Sequence, residues 1–379
     1  VLSPSTQITP SLGYGPQSAC YGLARFDGSR WEVLGSATYA TGMRNGNQLA
    51  FYPDGRVVIG INGDYYIVQG SSVMTALTAV FPFSSPSKCF VINNELYIYA
   101  SQYVTGTSGP KSNYLLRWNG RTDSQAWDRS PAPAGWTTIV PPLTAADGFV
   151  YVRTASQLLT WDLQTFGVAV DGAVGEFWTP VDSGFVFGGA ATSLGPAGGH
   201  RVTRFRSQPR SWEVMGEGFN GGVRFMKRFQ GNLVAVGSFT RAGKYDAKHV
   251  AVRVNGEWKP MSNGLENFNV AAVVGMAEIN GKLYIGGESV LYNAATQTRA
   301  HVLVWTGERW EIAPAFPTNT TNWPMRAFLE FQGKIAIVRS AAAYLYDGVT
   351  TTLLSFTYDS ENAIISAGVF ENGSKLLLG

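Results

Sequence analysis

The three histidines are the residues of this chain whose type could most readily bind a metal ion. His200, His249 and His301 each precede a similar run of apolar residues. Zinc needs ligand nitrogens within about 2.1 Å of one centre, whereas equivalent positions on packed sheets lie about 10 Å apart. We therefore interpret the histidines as a repeated polar position at strand starts, and we predict no metal site and no cofactor.

Patterns of nucleophilic and acid–base catalysis are missing from the sequence. It contains no Gly-x-Ser-x-Gly, no cysteine with an evident histidine partner and no glycine loop that would cradle a phosphate. The 26 acidic residues show no spacing that singles out a glycosidase-like pair. The sequence predicts that the chain is not an enzyme, with a hydrolase or lyase as the lowest-ranked alternative.

Charge, hydropathy and cysteine usage restrict the partners. The net charge of +3, without a run of Lys or Arg, predicts no specific nucleic-acid recognition. No stretch approaches the about 20 apolar residues of a membrane-spanning helix, so we expect no membrane insertion. The start Val1–Pro4 lacks the features of a signal peptide. A secreted chain whose signal peptide has been removed would look the same, so the protein is not placed in the cytoplasm by this feature. Cys20 and Cys89 are predicted to be separate thiols, with a disulfide as the alternative.

Two kinds of segment alternate along the chain and are typical of short β-strands. The first kind is an apolar run after a Gly or Asn turn. Its eight copies are 56–60, 95–99, 149–152, 185–189, 232–237, 282–287, 334–338 and 375–379. The second kind ends in a turn such as Asn-Gly or Asp-Gly, which favours a tight hairpin. Its eight copies start at Arg25, Tyr66, Thr160, Arg117, Arg204, Arg253, Val304 and Leu345.

The spacing of these segments predicts the architecture. Eight units in residues 20–379 repeat every 45 or so residues, and a period of about 40–50 residues is typical of propeller blades. Residues 363–379 and 23–35 each supply half a unit, so together they complete one blade. We predict an all-β chain with a tail at 1–19 and a single closed β-propeller at 20–379. It has eight four-stranded blades, and the N- and C-terminal strands share one of them.

One stretch also resembles known propeller repeats. Residues 231–243, followed by 250–258, look like the Gly-rich propeller repeats of some secreted bacterial and fungal cell-surface proteins. Similar propellers occur in the nozzle or hub proteins of short-tailed bacteriophages. The likeness is good over residues 220–312, and it implies a propeller fold and, loosely, a function. Kelch, WD40 and sialidase Asp-box patterns fit less well.

Aromatic residues on the connections and one set of charged residues are the candidate site residues. Binding residues on a rigid scaffold usually lie on its loops, and the candidates for contact are Trp127, Trp136, Tyr245, Tyr292 and Trp323. Aligned first strands place Arg228, Glu278 and Glu330 in one column. We predict an inter-blade ion pair between Arg228 and Glu278, with Glu330 next in the series.

The unequal loops and the phage likeness lead to the first functional expectation. It is a non-enzymatic structural or assembly protein of a bacteriophage virion, a nozzle or hub component of the tail. Its partners would be other virion proteins, in an arrangement that allows a symmetric oligomeric ring. The alternative is a secreted or cell-surface propeller that binds a glycan or a protein ligand outside the cell.

Overall fold

In a computed structural model of the chain, every named secondary-structure element of the described residues is a β-strand, which confirms the all-β prediction. The structure describes residues 23–29, 31–34, 48–61, 64–69, 73–77, 85–103, 111–121, 127–131, 143–144, 149–153, 157–162, 165–172, 175–262, 265, 272–293, 298–314, 324–340, 342–354, 367–370 and 375–378. Within these ranges, no helix has the length and apolar character needed to cross a bilayer. The predicted boundary at residues 19 and 20 lies outside them.

The strands follow one another at short intervals, with these bounds. The first group is β1 (Leu23–Phe26), β2 (Trp31–Leu34), β3 (Gln48–Phe51), β4 (Val57–Ile61), β5 (Asp64–Gln69), β6 (Val73–Ala76), β7 (Ser85–Ile92), β8 (Glu95–Tyr103), β9 (Lys111–Trp118), β10 (Trp127–Pro131), β11 (Leu143–Thr144) and β12 (Val150–Arg153). The second group is β13 (Gln157–Trp161), β14 (Phe166–Asp171), β15 (Phe177–Val181), β16 (Gly184–Gly188), β17 (Val202–Ser207), β18 (Arg210–Val214), β19 (Val223–Phe229), β20 (Asn232–Gly237), β21 (Arg241–Ala242) and β22 (Tyr245–Asp246). The third group is β23 (Val250–Val254), β24 (Glu257–Pro260), β25 (Val273–Ile279), β26 (Lys282–Asn293), β27 (Thr298–Trp305), β28 (Trp310–Ile312), β29 (Met325–Phe331), β30 (Lys334–Arg339), β31 (Ala342–Tyr346), β32 (Thr351–Leu354), β33 (Ala367–Phe370) and β34 (Lys375–Leu378).

These strands form eight four-stranded sheets and one two-stranded ribbon, β21–β22, in the described part of the chain. Sheet 1 has the order β2-β1-β34-β33, sheet 2 is β3 to β6, sheet 3 is β7 to β10 and sheet 4 is β11 to β14. Sheet 5 is β15 to β18, sheet 6 is β19-β20-β23-β24, sheet 7 is β25 to β28 and sheet 8 is β29 to β32. Eight sheets are not by themselves eight propeller blades, because a sheet is a blade only if it packs around the central axis of a propeller.

Sheet 1 joins the two ends of the described chain, as predicted. Strand β1 pairs antiparallel with β34, in a register that places Ala24 opposite Leu378 and Phe26 opposite Leu376. Strand β34 pairs in turn with β33. The exposed edges that half a unit would leave at each end are therefore paired with each other.

The hairpin turns have the backbone conformation that their sequences require. In Asn280-Gly281 and Asn255-Gly256 both residues have positive φ, at 51° and 70° and at 50° and 84°. Two consecutive positive φ values are the mark of the type I′ turn, whose twist matches that of the flanking strands. The Asn-Gly pairs therefore close the hairpins β25–β26 and β23–β24.

The chain divides into two compact units. The first comprises Val1–Ile139, Leu329–Leu345 and Thr352–Gly379, and the second comprises Val140–Phe328 and Tyr346–Thr351.

In the second unit, a continuous apolar core joins sheets 5 and 6. Trp258 of β24 is 2% exposed in this core, and its indole Nε1 donates to the Met215 carbonyl oxygen after β18, at 2.9 Å. This bond fixes sheet 6 against sheet 5 beneath the candidate site.

Candidate functional site

The candidate site is a pocket of about 130 Å³ between sheets 5 and 6, within the second unit. Three arginines line it, namely Arg204 of β17, Arg228 of β19 and Arg253 of β23. Gly231, in the β19–β20 turn, also lines the pocket, and a Cβ added there would meet no atom within 4 Å. The pocket is therefore a concave, positively charged surface beside open space.

Strand register explains why two of these arginines face the same pocket. Arg204 and Arg253 each lie on the third strand of their sheet, Arg204 opposite Val186 of β16 and Arg253 opposite Leu233 of β20. Each is also the first residue of a second-kind segment in the repeat. Because sheets 5 and 6 repeat this position on their third strands, both arginine side chains line the groove between the two sheets.

Two carboxylates balance part of the positive charge. Arg228 Nη2 lies 3.0 Å from Asp182 Oδ2, and Arg204 Nη2 donates to the Asp182 carbonyl oxygen at 2.9 Å. Glu213 Oε2 lies 2.9 Å from Arg206 Nη2 and 3.8 Å from Arg204 Nη1. Four guanidinium groups and two carboxylates leave two positive charges in excess, once Arg253 is included.

Arg253 carries much of that excess. Its side chain makes no hydrogen bond or ion pair with any residue that the structure describes, and its Nε is buried without a partner. The Nε of Arg204 is likewise buried and without a partner among those residues. Burying a polar N–H without a hydrogen bond costs about 1–3 kcal/mol. Buried groups without a partner are uncommon in native proteins, and they mark functional or strained sites or places where water or an ion binds.

The environment of Arg204 confirms the crowding of positive charge. Burial lowers the pKa of the Arg204 guanidinium, and the nearby cations Arg206 and Arg253 lower it as well. Glu213 and Asp182 oppose these effects. Because arginine stays protonated in proteins, the group keeps its charge and gains from a further anion nearby. The chemistry that this arrangement offers is the binding of an oxyanion.

Arg228 makes an ion pair that the sequence alignment did not predict. Its partner is Asp182, in the turn before β16. A strand alignment compares only residues on equivalent strands. Asp182 lies in a turn of the preceding sheet, so the alignment does not predict its position. The pairing predicted for Glu278, and the place of Glu330 in that series, remain untested predictions.

The predicted contact aromatics do not form a cluster at this pocket. Trp127 is only 8% exposed in the core of the first unit, because outer strand β10 begins there, so its expected place on an exposed loop is corrected. Tyr245 is half-buried in β22, with Lys244 Nζ 5.2 Å from its ring centroid. Tyr292 belongs to β26, opposite Arg299. Trp136 and Trp323 lie outside the described residues. A contact role for these last four stays a prediction.

The histidines occupy three separate environments. His249 lies just before β23 with φ 71°, and its Nδ1 is 3.1 Å from the Gly237 carbonyl oxygen. His301 is buried in β27, with Nδ1 3.8 Å from Glu288 Oε1. Exposed His200 accepts a bond from the Phe219 amide at its carbonyl oxygen. No group of three or more His, Cys, Asp or Glu in the described ranges is placed to hold a metal ion.

Sequence reasoning singled out Arg228 but missed Arg204 and Arg253. Both were visible as starting residues of the second-kind segment. The residue opposite each arginine on the fourth strand could have indicated the site. That residue is the acid Glu213 for Arg204, but it is Trp258 for Arg253. An arginine in a half-buried strand without an opposite acid is the pattern that points to a site.

Comparison with solved structures shows a β-propeller fold. No family model and no curated protein matches the sequence. The designed protein Ika8 is similar with a TM-score of 0.55 at 12% identity, over 89% of this chain and 97% of that one. The extracellular domain of the B. thetaiotaomicron protein BT4673 has a TM-score of 0.44 at 9% identity, over 88% of this chain and 52% of that one. Puromycin hydrolase has a TM-score of 0.46 at 12% identity, over 75% of this chain and 48% of that one.

These comparisons correct one expectation and leave another without support. The chain spans about half the length of the BT4673 and puromycin hydrolase chains. The prediction that the chain is not an enzyme is not upheld, because a hydrolase is among the proteins whose structures resemble it. None of the three structures is a virion protein, and they do not support the expected likeness to phage nozzle propellers and Gly-rich repeats.

Proposed function

We propose that this chain is an extracellular or cell-surface β-propeller that binds a protein partner, and that the arginine pocket receives an acidic side chain of that partner. The observation that carries the proposal is the pocket of Arg204, Arg228 and Arg253, with its excess of positive charge. An extracellular location would match that of the BT4673 domain.

The size of the pocket favours a protein side chain over a glycan or another small molecule. Sites for small molecules usually enclose about 300–1,000 Å³, whereas this pocket holds about 130 Å³. One carboxylate with its short stem fits such a volume. Arginine is also among the residues that contribute most to protein–protein binding.

The blade count is the second part of the proposal. We propose that each of the eight four-stranded sheets is one propeller blade, and that the β1–β34 pairing completes the blade formed by strands near the two ends of the chain. First strands of neighbouring sheets contact each other, as in β3 with β7, β15 with β19 and β19 with β25. A ring of seven blades, with one sheet outside it, is the alternative. An experimental structure with eight sheets around one axis supports the proposal, and seven would contradict it.

Photo-crosslinking in the cells that produce the protein tests the partner. A benzophenone amino acid replaces Glu217, an exposed residue two positions after Met215 of the pocket lining. The matched control carries it at Val349, which is 69% exposed and does not line the pocket.

The expected result is an adduct with one protein at position 217 and not at position 349. That adduct should react with a membrane-impermeant biotin reagent on intact cells. Adducts of equal yield at both positions, or an adduct that the reagent reaches only after lysis, would overturn the proposal. A glycan instead of a protein in the adduct would replace the partner class.

A further inference from the structure

We infer that the pocket binds a single carboxylate at Arg253, and that Asp182 is an internal competitor which occupies Arg228 until this ligand arrives. The inference rests on the proposed function and specifies the chemical group that is recognised. It follows from a comparison between two sheets of the same chain.

In sheet 3, the arginine at the position equivalent to Arg253 forms ion pairs with two acidic residues of its own sheet. Arg117 of β9 is the counterpart of Arg253, because each starts a second-kind segment on a third strand. Arg117 Nη2 lies 2.8 Å from Asp128 Oδ2 on the fourth strand, and Nη1 lies 3.3 Å from Glu95 Oε1 on the second. The hydrogen bond from Arg117 lowers the pKa of Asp128.

Both acids are replaced in sheet 6. Arg117 lies opposite Tyr97 and Asp128, and Arg253 lies opposite Leu233 and Trp258. Tyr97 follows Glu95 by two residues, and Leu233 follows Gly231 by two residues. Trp258 therefore stands in the place of Asp128. On the second strand Asn232 begins β20 as Glu95 begins β8, and the turn residue Gly231 has the offset from Arg253 that Glu95 has from Arg117, so neither position carries an acid.

The missing glutamate side chain leaves space that a ligand can fill. Gly231 lines the pocket, and no atom lies within 4 Å of where its Cβ would be. A carboxylate from outside can therefore take the position at Arg253 that Glu95 takes at Arg117. The planar guanidinium fork matches a carboxylate in a bidentate geometry, which favours this anion.

Asp182 is an exposed carboxylate beside the pocket that a ligand carboxylate can replace at Arg228. Its side chain is 88% exposed, and that of its partner Arg228 is 44% exposed. Exposed ion pairs of this kind are weak, since solvent screens them and ordering two side chains costs entropy. An incoming carboxylate can therefore compete for Arg228 while it pairs with Arg253.

The experiment titrates the purified full chain with N-acetylglutamate amide and, separately, with its uncharged isostere N-acetylglutamine amide. The readout is the ¹⁵N-labelled arginine Nε–Hε resonances, assigned with the variants below. We expect saturable shifts with the glutamate compound, with a Kd on the order of millimolar for one charged group. The glutamine compound should cause no saturable shift, and equal binding of both compounds would overturn the inference.

Variants locate the binding. Arg253→Gln should weaken it at least tenfold, and Arg253→Lys, which keeps the charge without the fork, should weaken it by less. Asp182→Asn should tighten it about twofold to fivefold, because it removes the competitor. The matched control is Arg309→Gln, which removes a charge whose side chain is 74% exposed in sheet 7.

The outcomes separate this inference from the proposed function. Unchanged binding in Arg253→Gln, or weaker binding in Asp182→Asn, would overturn the inference. Sulfate that binds tenfold more tightly than the glutamate compound would overturn the choice of carboxylate. If the glutamate compound binds but no surface partner is crosslinked, the proposed function fails alone. If the partner is crosslinked equally in Arg253→Gln, the inference fails alone.

Discussion

Gln332 donates a hydrogen bond from Nε2 to the backbone carbonyl oxygen of Asp27, at 2.8 Å, although the two residues lie 305 positions apart in the sequence. Gln332 belongs to the β29–β30 turn of sheet 8, and Asp27 to the β1–β2 turn of sheet 1. Asn280 Nδ2 makes a similar bond to the Asp347 carbonyl oxygen at 3.0 Å, from sheet 7 to sheet 8. Polar residues in hairpin turns thus tie each of these sheets to the next.

Replacement of Gln332 by alanine should weaken the contact between sheets 8 and 1. We expect the free energy of unfolding to fall by about 0.5–1.5 kcal/mol, the usual net contribution of one hydrogen bond. Chemical denaturation at equilibrium measures the change. Lys334→Ala, an exposed substitution at the start of β30, is the control and should stay within about 0.5 kcal/mol of the parent chain. Equal effects of the two variants would show that the bond adds nothing.

Gly28 provides a second test of the same contact. An alanine Cβ at Gly28 would clash with Gln332 Oε1, in a backbone with φ 99°. Gly307 has φ 104° in the corresponding turn of sheet 7, but no atom lies within 4 Å of its added Cβ. Gly307→Ala should therefore cost about 1–2 kcal/mol for the backbone alone. Gly28→Ala should cost about 1 kcal/mol more, because Gln332 must leave Asp27.

A double-mutant cycle isolates the contribution of the clash. In a Gln332→Ala background, Gly28→Ala should cost no more than Gly307→Ala does. An excess cost of Gly28→Ala that persists without the glutamine side chain would contradict the geometry of this contact.

The architecture could be predicted because it is repeated, whereas the pocket is not. The half-units 23–35 and 363–379 predicted a shared sheet, and the pairing of Ala24 with Leu378 confirms it. Arg228 was found through its strand position, but its partner Asp182 lies in a turn, whose place depends on how two sheets pack. The pocket arises where sheet 6 departs from the repeat, with Trp258 in the place of Asp128 and no acid at Gly231 or Asn232.

Cys89 should be unreactive in the folded protein. It is a free thiol, 9% exposed, and burial raises its pKa to about 12. The thiolate is the reactive form, so a disulfide reagent at pH 8 should modify Cys89 only after denaturation. A Cys20→Ser background leaves Cys89 as the only cysteine of the chain. Rapid modification of the native Cys20→Ser protein would contradict the burial of this thiol.

The protein should lose stability at alkaline pH. Burial raises the pKa of Tyr52 from 10.0 to about 12, with burial also raising the pKa of Tyr65 and Tyr97. The neutral phenol is favoured in the fold, so its contribution is complete below pH 10 and is lost as the pH rises from about 10 to about 12. Tyr52→Phe cannot ionise and should show a smaller fall in the free energy of unfolding over this range. Parallel curves for both proteins would contradict the shift.

The most direct test of the account is the yield of the surface adduct from the crosslinker at position 217, compared among the parent chain, Arg253→Gln and Arg309→Gln. The account predicts that Arg253→Gln lowers the yield at least tenfold, because the partner loses a guanidinium that lines the pocket. It predicts that Arg309→Gln leaves the yield unchanged. Equal yields from all three proteins, each shown to be folded by its unfolding transition, would contradict the role of Arg253 in binding the partner.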